Sequence, residues 1–230
     1  GLEKDAVIAT VRSIVQLLIV GYLLQFVFDQ ERFLYIVIMI FIMILAATMN
    51  ARKKGQMIRG ITWKLFLTFT TIELLTQGIL IGFHITPATA QYIIPLSGMV
   101  IGNSMVLSML FLNRFVSEIE AGQDTIELIL SLGGTPRQAI QTHVKQAIRT
   151  STIPTIESQK TIGLVQLPGM MSGQIIAGAD PLQAVFFQLL VLFLMLMTAI
   201  ITSVLLGYFS YPSLFNERMQ LIDRRKLNES

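Results

Sequence analysis

Cysteine is absent from the 230 residues, so no disulfide staple and no thiolate metal site holds this chain together, and the redox compartment stays undetermined. Charge is scarce: Asp, Glu, Lys and Arg make up 13% of the chain, against roughly 25% in ordinary soluble domains. With 53% apolar residues, there is too little polar surface to clothe a water-exposed globule, and the chain reads as a membrane protein. No Gly-x4-Gly-Lys-Ser/Thr phosphate loop occurs, so the chain is not expected to hydrolyse ATP, and no Ser/His/acid or His-x3-His arrangement suits a hydrolase. The two histidines, His84 and His143, are too isolated to form a closed metal site. The formal net charge of +3 is spread over loop ends, with no basic stripe or interleaved aromatics, which argues against nucleic acid as a partner.

What is present is a series of apolar runs at 7–28, 33–49, 61–83, 93–115, 161–179 and 182–209. At ~20 residues per span, they predict an all-α polytopic membrane bundle of about six transmembrane helices. Residues 1–230 then form a single domain, with no room for a separate soluble unit. The run 33–49 carries no charge, whereas 161–179 is broken by Pro168-Gly169. Short basic loops stay cytoplasmic. Arg52, Lys53, Lys54 and Arg59 therefore place the second joint inside, as do Arg218, Arg224, Arg225 and Lys226 for the tail. The joints at 29–32, 84–92 and 179–181 hold a single basic residue, Arg32, and belong outside.

Between these spans, 116–160 is too polar to cross, yet its apolar residues recur at helical spacing: Ile126, Ile129 and Leu130, then Ala139, Ile140 and Val144. The pattern predicts a cytoplasmic region of helices lying at the inner membrane face. Its turn, Gly133-Gly134-Thr135-Pro136, has a mechanical logic, because Gly ends one helix and Pro suits the first turn of the next. A protrusion of this kind either moves as one body with a soluble partner or simply joins two helices.

Within the spans, Glu73 sits mid-run among Thr70, Thr71, Thr76 and Gln77, so it should face the bundle interior or a wet cavity. A solute-contacting role and a helix-to-helix hydrogen-bonding role are equally open. Asn103, in Gly102-Asn103-Ser104-Met105, offers one amide amid apolar neighbours; it lines a path or joins helices. Glu157 and Lys160 fall on one helical face where the chain re-enters the membrane, as an interfacial ion pair or as part of a transport path. Arg12, with Gln16 on its face, fits an anchor that snorkels inward. Pro168 removes a backbone hydrogen bond, as in discontinuous helices near transport sites. Gly169 and Gly173 make a Gly-xxx-Gly face for close helix contact. Met170 and Met171 suit ordinary packing better than metal binding, since thioethers favour Cu(I)-like ions.

Two resemblances add to this reading. Glu127 with Gly133 and Thr135-Pro136 resembles the cytoplasmic loop of ABC importer permeases, with Leu128 and Ile129 where that loop carries alanines. More of the chain is similar to the bacterial iron-export ABC permeases and the related plant aluminium-tolerance permeases. Four motifs in order carry this likeness: Leu2-Glu3-Lys4-Asp5, Gly102 to Val106, Leu130 to Pro136, and Ile153-Pro154-Thr155 through Leu167-Pro168-Gly169-Met170-Met171-Ser172-Gly173. The resemblance implies a permease subunit in the bacterial cytoplasmic membrane. It implies export of iron or another metal, with ATP and Mg handled by a separate ABC ATPase subunit. Coupling to that subunit falls on Glu127, Leu132, Gly133, Gly134, Thr135, Pro136 and Arg137. From the residues themselves, and for Glu73 with nothing added by the resemblance, the path or gate falls on Glu73, Asn103, Glu157, Lys160, Pro168, Gly169, Met170, Met171 and Gly173. Two permease copies are expected, because one small bundle encloses little passage and a twofold interface suits a twofold motor. Family members usually carry one more helix before Leu-Glu-Lys-Asp. Rival readings are a permease for a nucleotide sugar or an amphiphile, and a motor-free membrane scaffold.

Overall fold

The computed structural model describes residues 2–30, 32–56, 58–165, 167–216 and 218–222. Arg224, Arg225 and Lys226 of the predicted inside tail lie outside the described residues, as do the side chains of Leu2 and Asp5. The described chain is all helical: α1 (Leu2–Gln30), α2 (Phe33–Ala51), α3 (Ile61–Gly82), α4 (Ala90–Ala121), α5 (Gln123–Ser131), α6 (Pro136–Thr161), α7 (Gly169–Ile176) and α8 (Pro181–Ser210), with short 3-10 turns after α2 and α8. Five of these, α1, α2, α3, α4 and α8, are long and apolar enough to cross a membrane.

The centre of the bundle is α4, which touches α1, α2, α3, α6 and α8. Its small residues make this possible. Ser97, Ser104 and Ser108 are buried without filling the space between helices, and Gly98 lies so close to α2 that an added Cβ would meet Met43 Cε at 3.0 Å. Where large side chains take over, Phe111 and Phe115 stack at 5.4 Å and join Leu65, Phe69, Ile126, Ile140 and Leu206 in one apolar core. α1 stands apart. Only its last turns pack, through Val27, Leu24 and Phe28 against Ile36, Ile93 and Ile94.

The basic joint 52–59 and the described part of the tail gather at one end. Gly55 abuts Leu112 of α4, Lys64 donates a hydrogen bond to Ser213 beyond α8, and Leu221 packs on the core that contains Ile126 and Ile140. The opposite end holds the turns after α1, α3 and α7.

Two expectations change. The predicted span 161–179 is not one helix: α6 ends at Thr161, residues 162–165 and 167–168 are irregular, and α7 has 8 residues, about 12 Å against the ~30 Å of a hydrocarbon core. The stretch 116–160 does not lie flat across one end. α4 continues through it to Ala121, and α6 packs lengthwise on α4 and α8. The cause is small-on-small contact. Ser151 and Ser203 Oγ atoms meet at 3.2 Å, Ala147 is fully buried, and a Cβ on Gly207 would stand 3.0 Å from Val144.

Candidate functional site

The protrusion at the basic end is stiff for reasons visible residue by residue. α5 closes with Leu132 N–H donating to Leu128 O at 3.1 Å, Gly133 N–H to Leu130 O at 3.0 Å and Gly134 N–H to Ile129 O at 2.9 Å. Gly133 takes φ +85°, a left-handed cap that suits glycine. Gly134 has no room for a side chain, since a Cβ there would fall 2.5 Å from Ile129 Cγ2 and 2.8 Å from Ile129 O. α6 then starts at once with a capping box: Gln138 N–H donates to Thr135 Oγ1 at 3.3 Å and Thr135 N–H to Gln138 Oε1 at 2.8 Å, with Pro136 in the first turn. Leu132, 80% exposed, is an apolar knob at the tip. Glu127 and Arg137 are exposed beside it. The segment after α8 folds back here, so that Arg218 and Gln220 face Glu127, Gly133 and Gly134 across a hollow of about 660 Å³. Nothing in the local sequence pattern announced that fold-back.

A second set of polar groups lies deep in the bundle. Glu73, 4% exposed, accepts hydrogen bonds at Oε1 from Ser97 Oγ and, at 3.0 Å, from Gln77 Nε2. Gln77 Nε2 also donates to Ser97 Oγ at 2.9 Å, closing a triangle between α3 and α4. Glu73 Oε2, Gln77 Oε1 and Thr76 Oγ1 have no partner among the described residues. Gln77 was visible in the sequence as a neighbour of Glu73; Ser97 was not.

Glu73 is close to the midpoint of the 22-residue α3, so the level of Glu73 and Ser97 marks the middle of the bundle. Asn103 lies roughly 9 Å further along α4 than Ser97 at ~1.5 Å per residue, and its Nδ2 donates to Met195 O and Thr198 Oγ1, each at 3.2 Å. Gln159 of α6 donates to Leu192 O at 3.1 Å, about one turn of α8 back toward the middle. Asn103, Thr155, Ser158, Gln159 and Gln188 meet in a hollow of about 350 Å³ between α4, α6 and α8. Next to it on α6, Lys160 Nζ donates to Glu157 Oε1 at 2.6 Å, with the two side chains 63% and 59% exposed. The predicted pair therefore forms. Along the bundle the pair lies within ~10 Å of the level of Glu73, by the contacts of Asn103 and Gln159 with α8.

The breaker run is placed but not gathered into that layer. Pro168 starts α7 in extended conformation, and Met170 packs against the cluster of Leu80, Leu96, Val191 and Leu194. Met171 is half-buried. Added Cβ atoms at Gly169 and Gly173 would meet nothing within 4 Å, so the expected Gly-xxx-Gly face has no helix against it among the described residues.

A helical bundle with five spans, a divided sixth segment, polar side chains at mid-depth and a rigid protrusion at its basic end has the build of a multi-pass membrane permease. The family described as Uncharacterised protein family (UPF0014) matches residues 1–215, and the chain belongs to it. It is 53% identical over 221 residues to the UPF0014 membrane protein YjkA of Bacillus subtilis (strain 168), covering 96% of this chain and 88% of that one. It is 37% identical over 222 residues to the "Probable iron export permease protein FetB" of Escherichia coli (strain K12), covering 96% and 86%. With the "Protein ALUMINUM SENSITIVE 3" of Arabidopsis thaliana the identity is 33% over 221 residues, covering 96% and 81%. No solved structure gives a significant match.

Proposed function

We propose that this chain is the membrane-spanning subunit of an ABC exporter in a bacterial cytoplasmic membrane, moving iron or another metal ion outward with ATP hydrolysed by a separate subunit. The observation that carries the reading is the knuckle formed by α5, Gly133-Gly134 and the start of α6. Its backbone is closed by caps on both sides, and it presents Leu132 and Leu128 outward. A soluble motor needs a grip of this sort, because a two-helix corner that cannot bend transmits displacement instead of absorbing it. α6 is the lever. It starts at the knuckle and runs without a break to Gln159, Glu157 and Lys160 at mid-depth, so motion at Thr135 reaches the polar layer through one rigid element. The gathering of basic joints at the knuckle's end supports a cytoplasmic position for it, and the similarity to a protein named as an iron export permease supports the substrate class. Two copies of the chain work together, one per ATPase subunit.

The test is co-purification of the tagged chain with a nucleotide-hydrolysing partner, followed by iron accumulation in inside-out vesicles. The expected result is ATP-dependent uptake that disappears, together with the partner, in Gly134→Val, whose side chain would collide with Ile129. A chain that retains its partner and activity with this substitution, or that has no ATPase partner at all, overturns the reading.

A further inference from the structure

The exposed side of α6 poses a physical problem for a single copy in lipid. From its start on the knuckle, α6 climbs beside α8, as the contacts Val144 to Gly207, Ser151 to Ser203 and Gln159 to Leu192 show in order. α8 is one of the membrane-crossing helices, so the upper half of α6 lies at the depth of lipid tails. Yet Glu157, Ser158, Lys160 and Thr161 on that half are all exposed, and none of the described elements covers them. Lipid tails offer no hydrogen bonds to a carboxylate, an ammonium and two hydroxyls, so this face must meet water or protein. The hollow lined by Asn103, Thr155, Ser158, Gln159 and Gln188 opens on the same side, and Gln188 Oε1 in its wall is buried with no partner.

We propose that the Glu157–Lys160 face of α6 is where a second copy of this chain docks about a twofold axis, and that the two α6 helices together wall a water-filled passage. This deepens the permease reading and rests on it for the passage, while the docking of two copies stands on the geometry alone. The face suits a copy of itself. Carrying both signs of charge at helical spacing of three, it offers Glu157 to the Lys160 of a partner and Lys160 to its Glu157, which is the self-complementarity a twofold axis demands. Ile153 and Ile156 are exposed beside the charges, and Leu164 and Val165, 89% and 85% exposed, continue the strip beyond α6. Charged middle and apolar ends make a contact that seals against lipid while the polar hollows on each side remain wet. α1, which exposes large apolar side chains from Val7 to Phe26, is the element left to face lipid.

Because the chain has no cysteine, single cysteines report without background. Ser158→Cys and Thr161→Cys change little volume and would be made in the full chain, in lipid nanodiscs, with Ile42→Cys on α2 as the control exposed to lipid. The expected result is a cross-linked two-chain band on oxidation or with a short bifunctional maleimide for the α6 positions, at least tenfold above the control. Labelling by a charged maleimide should also be faster at the α6 positions than at Ile42→Cys. Loss of that band in Glu157→Lys, with recovery in the double variant Glu157→Lys, Lys160→Glu, would tie it to the paired charges. Reaction of the α6 cysteines with a lipid-borne photoprobe, without cross-linking, overturns the proposal; so does charged-maleimide labelling without any two-chain band. Each of these readouts is taken without an ATPase subunit, so a chain that cross-links through α6 but binds no ATPase separates failure of the permease reading from failure of this one.

Discussion

Glu73 and Glu157 sit at similar depth in the bundle, and the chain treats them in opposite ways. Glu73 is enclosed between α3 and α4, where Ser97 and Gln77 both donate to one of its oxygens. Glu157 stands on the outside of α6, paired with the equally exposed Lys160. Burial of a polar group is tolerated when hydrogen bonds replace the lost water, and two side chains, Ser97 and Gln77, supply them to one of the two oxygens of Glu73. Glu157 instead takes its partner, Lys160, from the exposed face of the same helix. A carboxyl enclosed between two helices ties α3 to α4 within one copy, whereas the exposed pair ties α6 to nothing else among the described residues and is the part of the docking proposal open to test.

The difference can be broken from either side. Glu73→Lys places an ammonium where Ser97 and Gln77 can no longer both pair with a carboxyl, and an uncompensated buried charge costs ~3–5 kcal/mol. Thermal unfolding of the purified chain in mild detergent should show a large fall, while Glu157→Lys in the same assay should show a clearly smaller one, because Glu157 and Lys160 are both exposed and the change buries no charge. Equal losses would erase the distinction. Gly207→Leu attacks the support of α6: the new side chain would run into Val144 and Phe111, and overpacking costs ~1–3 kcal/mol. It should also shift cross-linking at position 158, since α6 carries that position. Ser97→Val strips Glu73 of one donor at a cost of ~1–2 kcal/mol, again read by unfolding and without effect on cross-linking. The smallest effect belongs to Thr135→Ala, which removes the capping box for ~1 kcal/mol. Faster amide exchange at Gln138 and weaker capture of the ATPase should reveal it, with the mid-depth layer unchanged.

Local signals explain what could be read in advance. Gly133-Gly134-Thr135-Pro136 encodes its corner in adjacent residues, because a left-handed cap, a spot without room for Cβ and a capping box are all short-range requirements. Glu73 stood out as a charge inside an apolar run, but Ser97 is one of several serines in α4, and only the packing of α3 on α4 selects it. The spacing of Glu157 and Lys160 predicted their pairing; their depth was hidden. A stretch as polar as 136–161 argues for a surface when each helix is weighed alone, and only the packing shows α6 laid lengthwise on α4 and α8, where Ala147, Ser151 and Gly207 let it settle. The run 161–179 failed in the reverse sense. Its apolar side chains resemble a span, yet residues 162–165, 167 and 168 are not helical.

From residue order alone follow the membrane setting, the all-helical class and the rigid corner. Each depends on solvent preference or on bonds between near neighbours in the chain. Tertiary packing decided how deep α6 climbs, which serine meets Glu73, and where the segment after α8 returns to the corner. Those outcomes depend on contacts between residues far apart in sequence, and they are settled only by which small surfaces on different helices can approach closely enough to touch.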